Sequence, residues 1–321
     1  MMLPGKSEFA QLGQKIQVRR FLGEVGRVQH LHPVDTESGR KDVAIGFLTS
    51  SLHLPLMLLA AKSFYHFSGI VCPLYVWDDG SLTSRNRDEV HKLFPAARLL
   101  RRSDYDLGPL ARYPLISAFA QQRLEKYESY APALKLIGPL ASPGAPDRFI
   151  LSDSDAFFFD WPQTIADWLD SDAKTNRYIA PWSGHDNVAE EDLRDLYEKI
   201  NVSSCPRINS GLLLLHRSIF NLDILENILE FYRARPYAWD IEQTIYRILM
   251  SCSASEPLSQ DDYILCHRKY NAVCHHFFTS IIFEEAPVRE KIVNLLAYIK
   301  DCEQRSKPPI NVNQYLKSRH D

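Results

Sequence analysis

Arg148-Phe-Ile-Leu-Ser-Asp-Ser-Asp-Ala-Phe-Phe-Phe-Asp-Trp-Pro162 is the stretch on which the reading of this chain turns. Arg148-Phe-Ile-Leu151 has the length and residue types of a buried strand, and it runs straight into Asp153-Ser-Asp155, with Phe157-Phe-Phe159 continuing behind. Two carboxylates two residues apart at a strand end can both turn toward one divalent cation where the chain bends. Hard cations such as Mn²⁺ or Mg²⁺ take such oxygen ligands, usually together with substrate phosphates. The chain holds three Asp-x-Asp triplets. Asp104-Tyr-Asp106 falls in a polar connection, and Asp170-Ser-Asp172 closes a helix expected over Pro162 to Leu169. Only Asp153-Ser-Asp155 follows a buried strand, and ligands of open α/β sheets bind at the carboxyl ends of strands. The other reading, two aspartates satisfying turn backbone with their own hydrogen bonds, stays open at this point.

Working outward, Val43 to Leu48 is an apolar run of strand length, Leu52 to Phe67 carries apolar residues at helical spacing, and Ile70 to Trp77 is a second strand. A helix over Leu82 to Leu93 stops before Pro95, and Ala97 to Leu100 is a third strand. Beyond a helical stretch from Leu115 to Leu140, the pattern predicts strands at Arg177 to Ala180 and Gly211 to His216. It predicts helices at Glu191 to Ile200, Asp223 to Tyr232, Ile241 to Met250 and Phe283 to Cys302. Such alternation predicts an α/β fold, a mostly parallel sheet with helices on both faces. The 321 residues allow two domains, but no repeat, low-complexity tract or Gly/Ser linker divides them. The expected organisation is an N-terminal extension over 1–41 outside the main core, one domain over 42–305 and a tail over 306–321.

Composition narrows the function classes. Apolar residues make up 45% and charged residues 24%, as in ordinary globular proteins. With 37 basic against 40 acidic side chains the net charge is −3, which supplies no field for a polyanion, so no nucleic-acid partner is expected. The most apolar stretch, Val43 to Cys72, is interrupted by polar residues before it reaches the ~18 residues of a transmembrane segment. No apolar core of secretory length follows the first charges. The six cysteines, at 72, 205, 252, 266, 274 and 302, are scattered, which fits reduced thiols and a cytoplasmic setting.

Three further segments carry candidate chemistry. In Arg207-Ile-Asn-Ser-Gly-Leu-Leu-Leu-Leu-His216 a polar Asn-Ser-Gly precedes an apolar strand. Gly211 there permits close approach of a ligand or a positive φ, or the segment is simply a turn leading into the core. Asp240-Ile-Glu-Gln243 opens a helix and equally fits a capping box. Val273-Cys-His-His-Phe-Phe-Thr279 offers a histidine nitrogen, and Lys135 reads by default as a solvated helix charge.

Taken in order, these segments resemble the GT-A fold glycosyltransferases, in particular the retaining enzymes of the glycogenin and lipopolysaccharide-galactosyltransferase type. The residues carrying the resemblance are the strand Val43 to Thr49, Tyr75-Val-Trp-Asp-Asp-Gly-Ser-Leu82, Leu134-Lys-Leu-Ile137, Asp153-Ser-Asp155, Asn209-Ser-Gly211, Glu242-Gln243 and the late His276. The resemblance implies that Asp153, Asp155 and His276 bind Mn²⁺ or Mg²⁺, with His275 the fallback if the alignment slips by one. Through the cation they would hold the diphosphate of a nucleotide sugar, UDP-hexose by family. It further implies that Thr49 and Ser154 contact the nucleotide and that Lys135 lies by the phosphates or sugar. Asn209 and Gly211 would line the sugar and acceptor side, with Glu242 and Gln243 near the anomeric carbon. The acceptor would be a glycan, lipid or protein, with contact at a membrane surface compatible with it. Two departures stand out: Glu242 where the family has aspartate, and Phe278-Thr-Ser280 where a Gly-Lys-Pro phosphate clasp often follows the histidine. They motivate a rival expectation, a catalytically silent nucleotide-sugar-binding module.

Overall fold

The computed structural model describes residues 6–125, 131–181, 193–202, 204–233, 241–265 and 272–305, with side chains described from residue 14 onward. The tail expected over 306–321, residues 182–192 and 203, which include the first two residues of the helix expected over 191–200, and the Asp240 end of the expected capping box lie outside these residues.

Among the described residues ten strands run in chain order as β1 (Val43–Thr49), β2 (Leu74–Asp78), β3 (Arg98–Leu100), β4 (Arg148–Ser152), β5 (Ala156–Phe158), β6 (Asn176–Ile179), β7 (Asn209–His216), β8 (Ser255–Pro257), β9 (Tyr263–Leu265) and β10 (Cys274–His276). The helices are α1 (Lys6–Val25), α2 (Leu54–Ser68), α3 (Ser84–Leu93), α4 (Pro114–Glu125), α5 (Leu134–Ala141), α6 (Gln163–Asp170), α7 (Arg194–Ile200), α8 (Leu222–Arg233), α9 (Ile241–Ser251), α10 (Thr279–Glu284) and α11 (Ala286–Arg305). Seven strands form one sheet in the order β3-β2-β1-β4-β7-β6-β8. The first four are mutually parallel, and β7 runs antiparallel between β4 and β6. A separate three-stranded sheet, β5-β10-β9, stands beside it.

The central strands of the large sheet, β2, β1, β4 and β7, are apolar on both sides because both sides are covered. Val43, Ile45 and Phe47 of β1, Ile150 of β4, and Leu212 and Leu214 of β7 join one core with α2, α3, α6 and α11. Ala44, Phe149, Leu151, Leu213 and Leu215 join the other with α4, α5, α8 and α9. Within the second core the fully buried Trp77 fits a slot made by two glycines. A Cβ on Gly46 would come within 2.4 Å of its ring and one on Gly138 within 2.3 Å, so only glycine admits α5 this close to the sheet. The indole Nε1 donates to Ser142 Oγ at 3.0 Å, which satisfies the one polar atom buried there.

Four sequence expectations change. The N-terminal segment contains helix α1, and Phe21, Val25, Val28 and Leu31 are buried in the first core rather than outside it. Among residues 14–25 of the helix only Phe21 and Val25 are buried, with Ile16 half exposed, so no apolar stripe marks this part of it. The helix expected over 115–140 is divided into α4 and α5, and Phe157-Phe-Phe159 leaves the large sheet to form β5. The helix expected over 283–302 is likewise two, α10 and α11.

Candidate active site

The two sheets meet at Asp153-Ser-Asp155. At the end of β4 the backbone N–H of Asp153 donates to Gly211 O at 2.8 Å, which sets the start of β7 beside it. A turn follows, closed by Ala156 N to Asp153 O at 3.1 Å. The chain then becomes β5, whose antiparallel register pairs Ala156 with His276 of β10, and Phe277 N donates to Asp155 O at 2.9 Å. One ladder thus positions the first aspartate, and the other brings a histidine from far along the chain to the second.

The side chains converge. His276 Nε2 lies 3.2 Å from Asp155 Oδ1 and 3.5 Å from Asp153 Oδ2, and one donor atom from each of the three residues lies within 4.8 Å of the others. Among the described residues this is the one His/Cys/Asp/Glu group so arranged. Two carboxylate oxygens and an imidazole nitrogen form a donor set that fits Mn²⁺ or Mg²⁺. His275 points away: its Nε2 is 2.9 Å from Lys291 Nζ, and its ring stacks on Phe277.

Gly211 is required by this histidine. A Cβ there would lie 2.1 Å from His276 Nδ1, so of the two roles open to the glycine it serves close approach, and its φ is not positive. Asn209 Oδ1 accepts from Gly211 N at 2.9 Å and faces His276 Nδ1 at 2.8 Å. Burial favours the neutral imidazole, but the Asp155 and Asp153 carboxylates outweigh it and raise the His276 pKa. Burial pushes Asp155 the other way, and His276 together with the Thr279 hydroxyl, 2.7 Å from Oδ2, brings it below the usual carboxylate range.

Lys135 is not a solvated charge. It is buried on α5, with Nζ 2.7 Å from Asp153 Oδ1, 2.7 Å from Ser210 O and 3.5 Å from Glu242 Oε1. Burial opposes its charge, yet Asp153 and Glu242 hold its pKa above the ordinary value. Glu242, in the first turn of α9, is 3% exposed. Its Oε2 accepts from Ser210 Oγ at 3.0 Å, and burial pushes its pKa up to about 7 against the pull of Lys135. Gln243 Oε1 faces Ser210 N at 3.4 Å.

Thr49 ends β1, and Ser154 Oγ donates to the neighbouring Leu48 O at 3.0 Å, which ties the turn to that strand end. The structure therefore gathers Lys135, Asp153, Ser154, Asp155, Asn209, Gly211, Glu242, Gln243 and His276 into one connected network, with Thr49 beside it. Sequence reasoning missed two members, Ser210 and Thr279. Ser210 lay inside the quoted Asn-Ser-Gly, and Thr279 closed the segment quoted for its histidines.

No family model matches the chain, and no curated protein sequence matches it. Solved structures do. The apo structure of the bifunctional glycosyltransferase WbbM matches with a TM-score of 0.54 at 12% identity. That match covers 86% of this chain and 52% of WbbM, so the chain spans about half of it. The galactosyltransferase LgtC, in complex with donor and acceptor sugar analogues, matches with a TM-score of 0.48 at 13% identity over 79% of this chain and 95% of that one. Core-mannan synthase A of Aspergillus fumigatus, in its Mn/GDP form, gives 0.45 at 10% identity over 70% and 75%. The fold of the chain is GT-A, a seven-stranded, mostly parallel mixed sheet with helices on both faces.

Proposed function

We propose that the protein is a metal-dependent glycosyltransferase that moves a hexose from a nucleotide-diphosphate sugar, UDP-hexose, to a glycan, lipid or protein acceptor with retention, in the cytoplasm. The observation that carries this reading is the convergence of Asp153, Asp155 and His276 at the carboxyl end of β4, the end at which open α/β sheets bind ligands. These three would hold Mn²⁺ or Mg²⁺, which when bound supplies positive charge against the departing nucleoside diphosphate. Thr49 and Ser154 lie at the neighbouring strand ends, on the side assigned to the nucleotide. Lys135 holds Asp153, and Gln243 and Asn209, held beside Ser210 and His276, would contact the sugar. Among the described residues no helix is long and apolar enough to cross a membrane.

The test is incubation with a panel of UDP- and GDP-sugars and Mn²⁺. Donor hydrolysis or transfer is expected, abolished in Asp153→Ala and Asp155→Ala; absence of nucleotide binding overturns the reading. One observation favours a second reading, a GT-A module that binds nucleotide sugar without turnover. Glu242 is buried in its pairing with Lys135 and Ser210 instead of lying open to a substrate. Tight metal-dependent nucleotide binding with no sugar release would select it.

A further inference from the structure

Each of the three clustered side chains has one polar atom engaged by a neighbour and another turned toward its companions. Asp153 gives Oδ1 to Lys135 and turns Oδ2 to His276. Asp155 gives Oδ2 to the Thr279 hydroxyl at 2.7 Å and turns Oδ1 to His276. His276 gives Nδ1 to Asn209 Oδ1 at 2.8 Å and turns Nε2 to both aspartates. Because the same Asn209 atom accepts the Gly211 backbone N–H, it is the amide oxygen, and Nδ1 is the nitrogen that carries hydrogen. In its neutral form the imidazole therefore presents a bare Nε2.

We propose that Thr279 and Asn209 are positioning residues that fix Asp155 and His276 as single-atom donors to one divalent cation. An unrestrained carboxylate can rotate to offer either oxygen or both, and an unrestrained imidazole can exchange tautomers. Each of these partners removes that freedom before the cation arrives. Neither is charged, which separates them from Lys135, whose ammonium orders Asp153 while repelling a cation. The Thr279 contact crosses from the start of α10 to the turn after β4, so it also fixes how the two segments meet. Removing partners of this kind from a metal ligand commonly weakens metal binding about 10–100-fold.

The inference rests on the metal reading above, and the experiment separates the two. Mn²⁺ is titrated into the full chain and free Mn²⁺ followed by electron paramagnetic resonance, with thermal melts reporting the fold of each variant. Thr279→Val, which keeps the shape and loses the hydroxyl, is expected to weaken binding by about 10-fold or more. Thr279→Ser, which restores the hydroxyl, should stay within about threefold of the parent. Asn209→Leu is expected to weaken binding similarly, and Asn209→Asp, which keeps the acceptor, to retain it. Nitrogen-15 spectra of His276 in the Mg²⁺-loaded protein should show hydrogen on Nδ1 and none on Nε2, a distinction lost in Asn209→Leu. Equal Mn²⁺ affinity in the parent, Thr279→Val and Asn209→Leu overturns the positioning roles and leaves the metal reading standing. A parent chain that binds no Mn²⁺ overturns both.

Discussion

Asp153-Ser-Asp155 and Asp170-Ser-Asp172 are the same tripeptide in one protein, and they behave as different objects. Asp170 ends α6 with its side chain 80% exposed and pairs with Arg40 at 3.0 Å; Ser171 and Asp172 are exposed as well. The serine hydroxyl accepts from Ala173 N, an ordinary turn contact. At 153–155 the serine instead reaches across to β1, one aspartate holds a buried lysine, and the other holds a threonine and a histidine. What separates the two copies is the strand that precedes the first and the small sheet that returns to it. Carboxylates become a site when the fold supplies donors for their spare atoms.

The largest expected effect breaks the comparison at its centre. Asp153→Ala or Asp155→Ala should lower Mn²⁺-dependent donor cleavage by about 10²–10³-fold or more, as loss of a charge-stabilising group does. Asp170→Ala and Asp172→Ala should leave the rate within about twofold. Next, Gly211→Ala puts a methyl where the His276 ring stands. Mn²⁺ affinity should fall about 10–100-fold by calorimetry, and retention of full affinity would show that the ring has room to move.

A stability measurement extends the contrast to ion pairs. The buried Lys62 meets the half-buried Glu303 at 2.6 Å, with Glu303 Oε2 also accepting His32 N at 3.0 Å. Glu303→Gln leaves the Lys62 ammonium without its counter-charge and should cost about 3 kcal/mol in urea denaturation. Asp170→Asn at the exposed Arg40 pair should cost under about 0.5 kcal/mol.

The last effect, spread over a range of pH, lies in the same corner. Burial, with Lys62 adding to it, lowers the His66 pKa from 6.5 to about 4. The unfolded histidine takes up a proton as pH falls through its ordinary value, while the folded one does so only near 4. Stability is therefore unaffected above that window and declines within it on acidification. The loss is at most about 3 kcal/mol, and less where solvent reaches the ring. His66→Phe should flatten the stability curve there; an unchanged slope would mean the ring protonates in place.

Much of the large sheet was legible because buried strands are short apolar runs, and Val43 to Leu48, Arg148 to Leu151 and Gly211 to His216 all lie within observed strands. The aspartates could be selected because β4 leads straight into them. What the chain did not disclose depended on tertiary partners. Over residues 14–25, helix α1 buries only Phe21 and Val25, so its periodicity is faint. Phe157-Phe-Phe159 is apolar enough to prolong β4, and only pairing with β10 diverts it into another sheet. Lys135 has the sequence context of a surface lysine, and its burial follows from Asp153 and Glu242 arriving from other elements. Thr279 carried no local signal, since a hydroxyl acquires its role from the acceptor it meets.

The return of β10 to β5 also fixes an order of events. Thr279 and Asp155 are 124 positions apart in the chain, and closing so long a loop is unfavourable until the elements between have packed. A nascent chain that has made β4 and the turn after it already displays both aspartates, yet has no histidine to set against them. The centre is therefore assembled late, and a divalent cation that needs all three donors would report completion of the fold rather than guide its beginning.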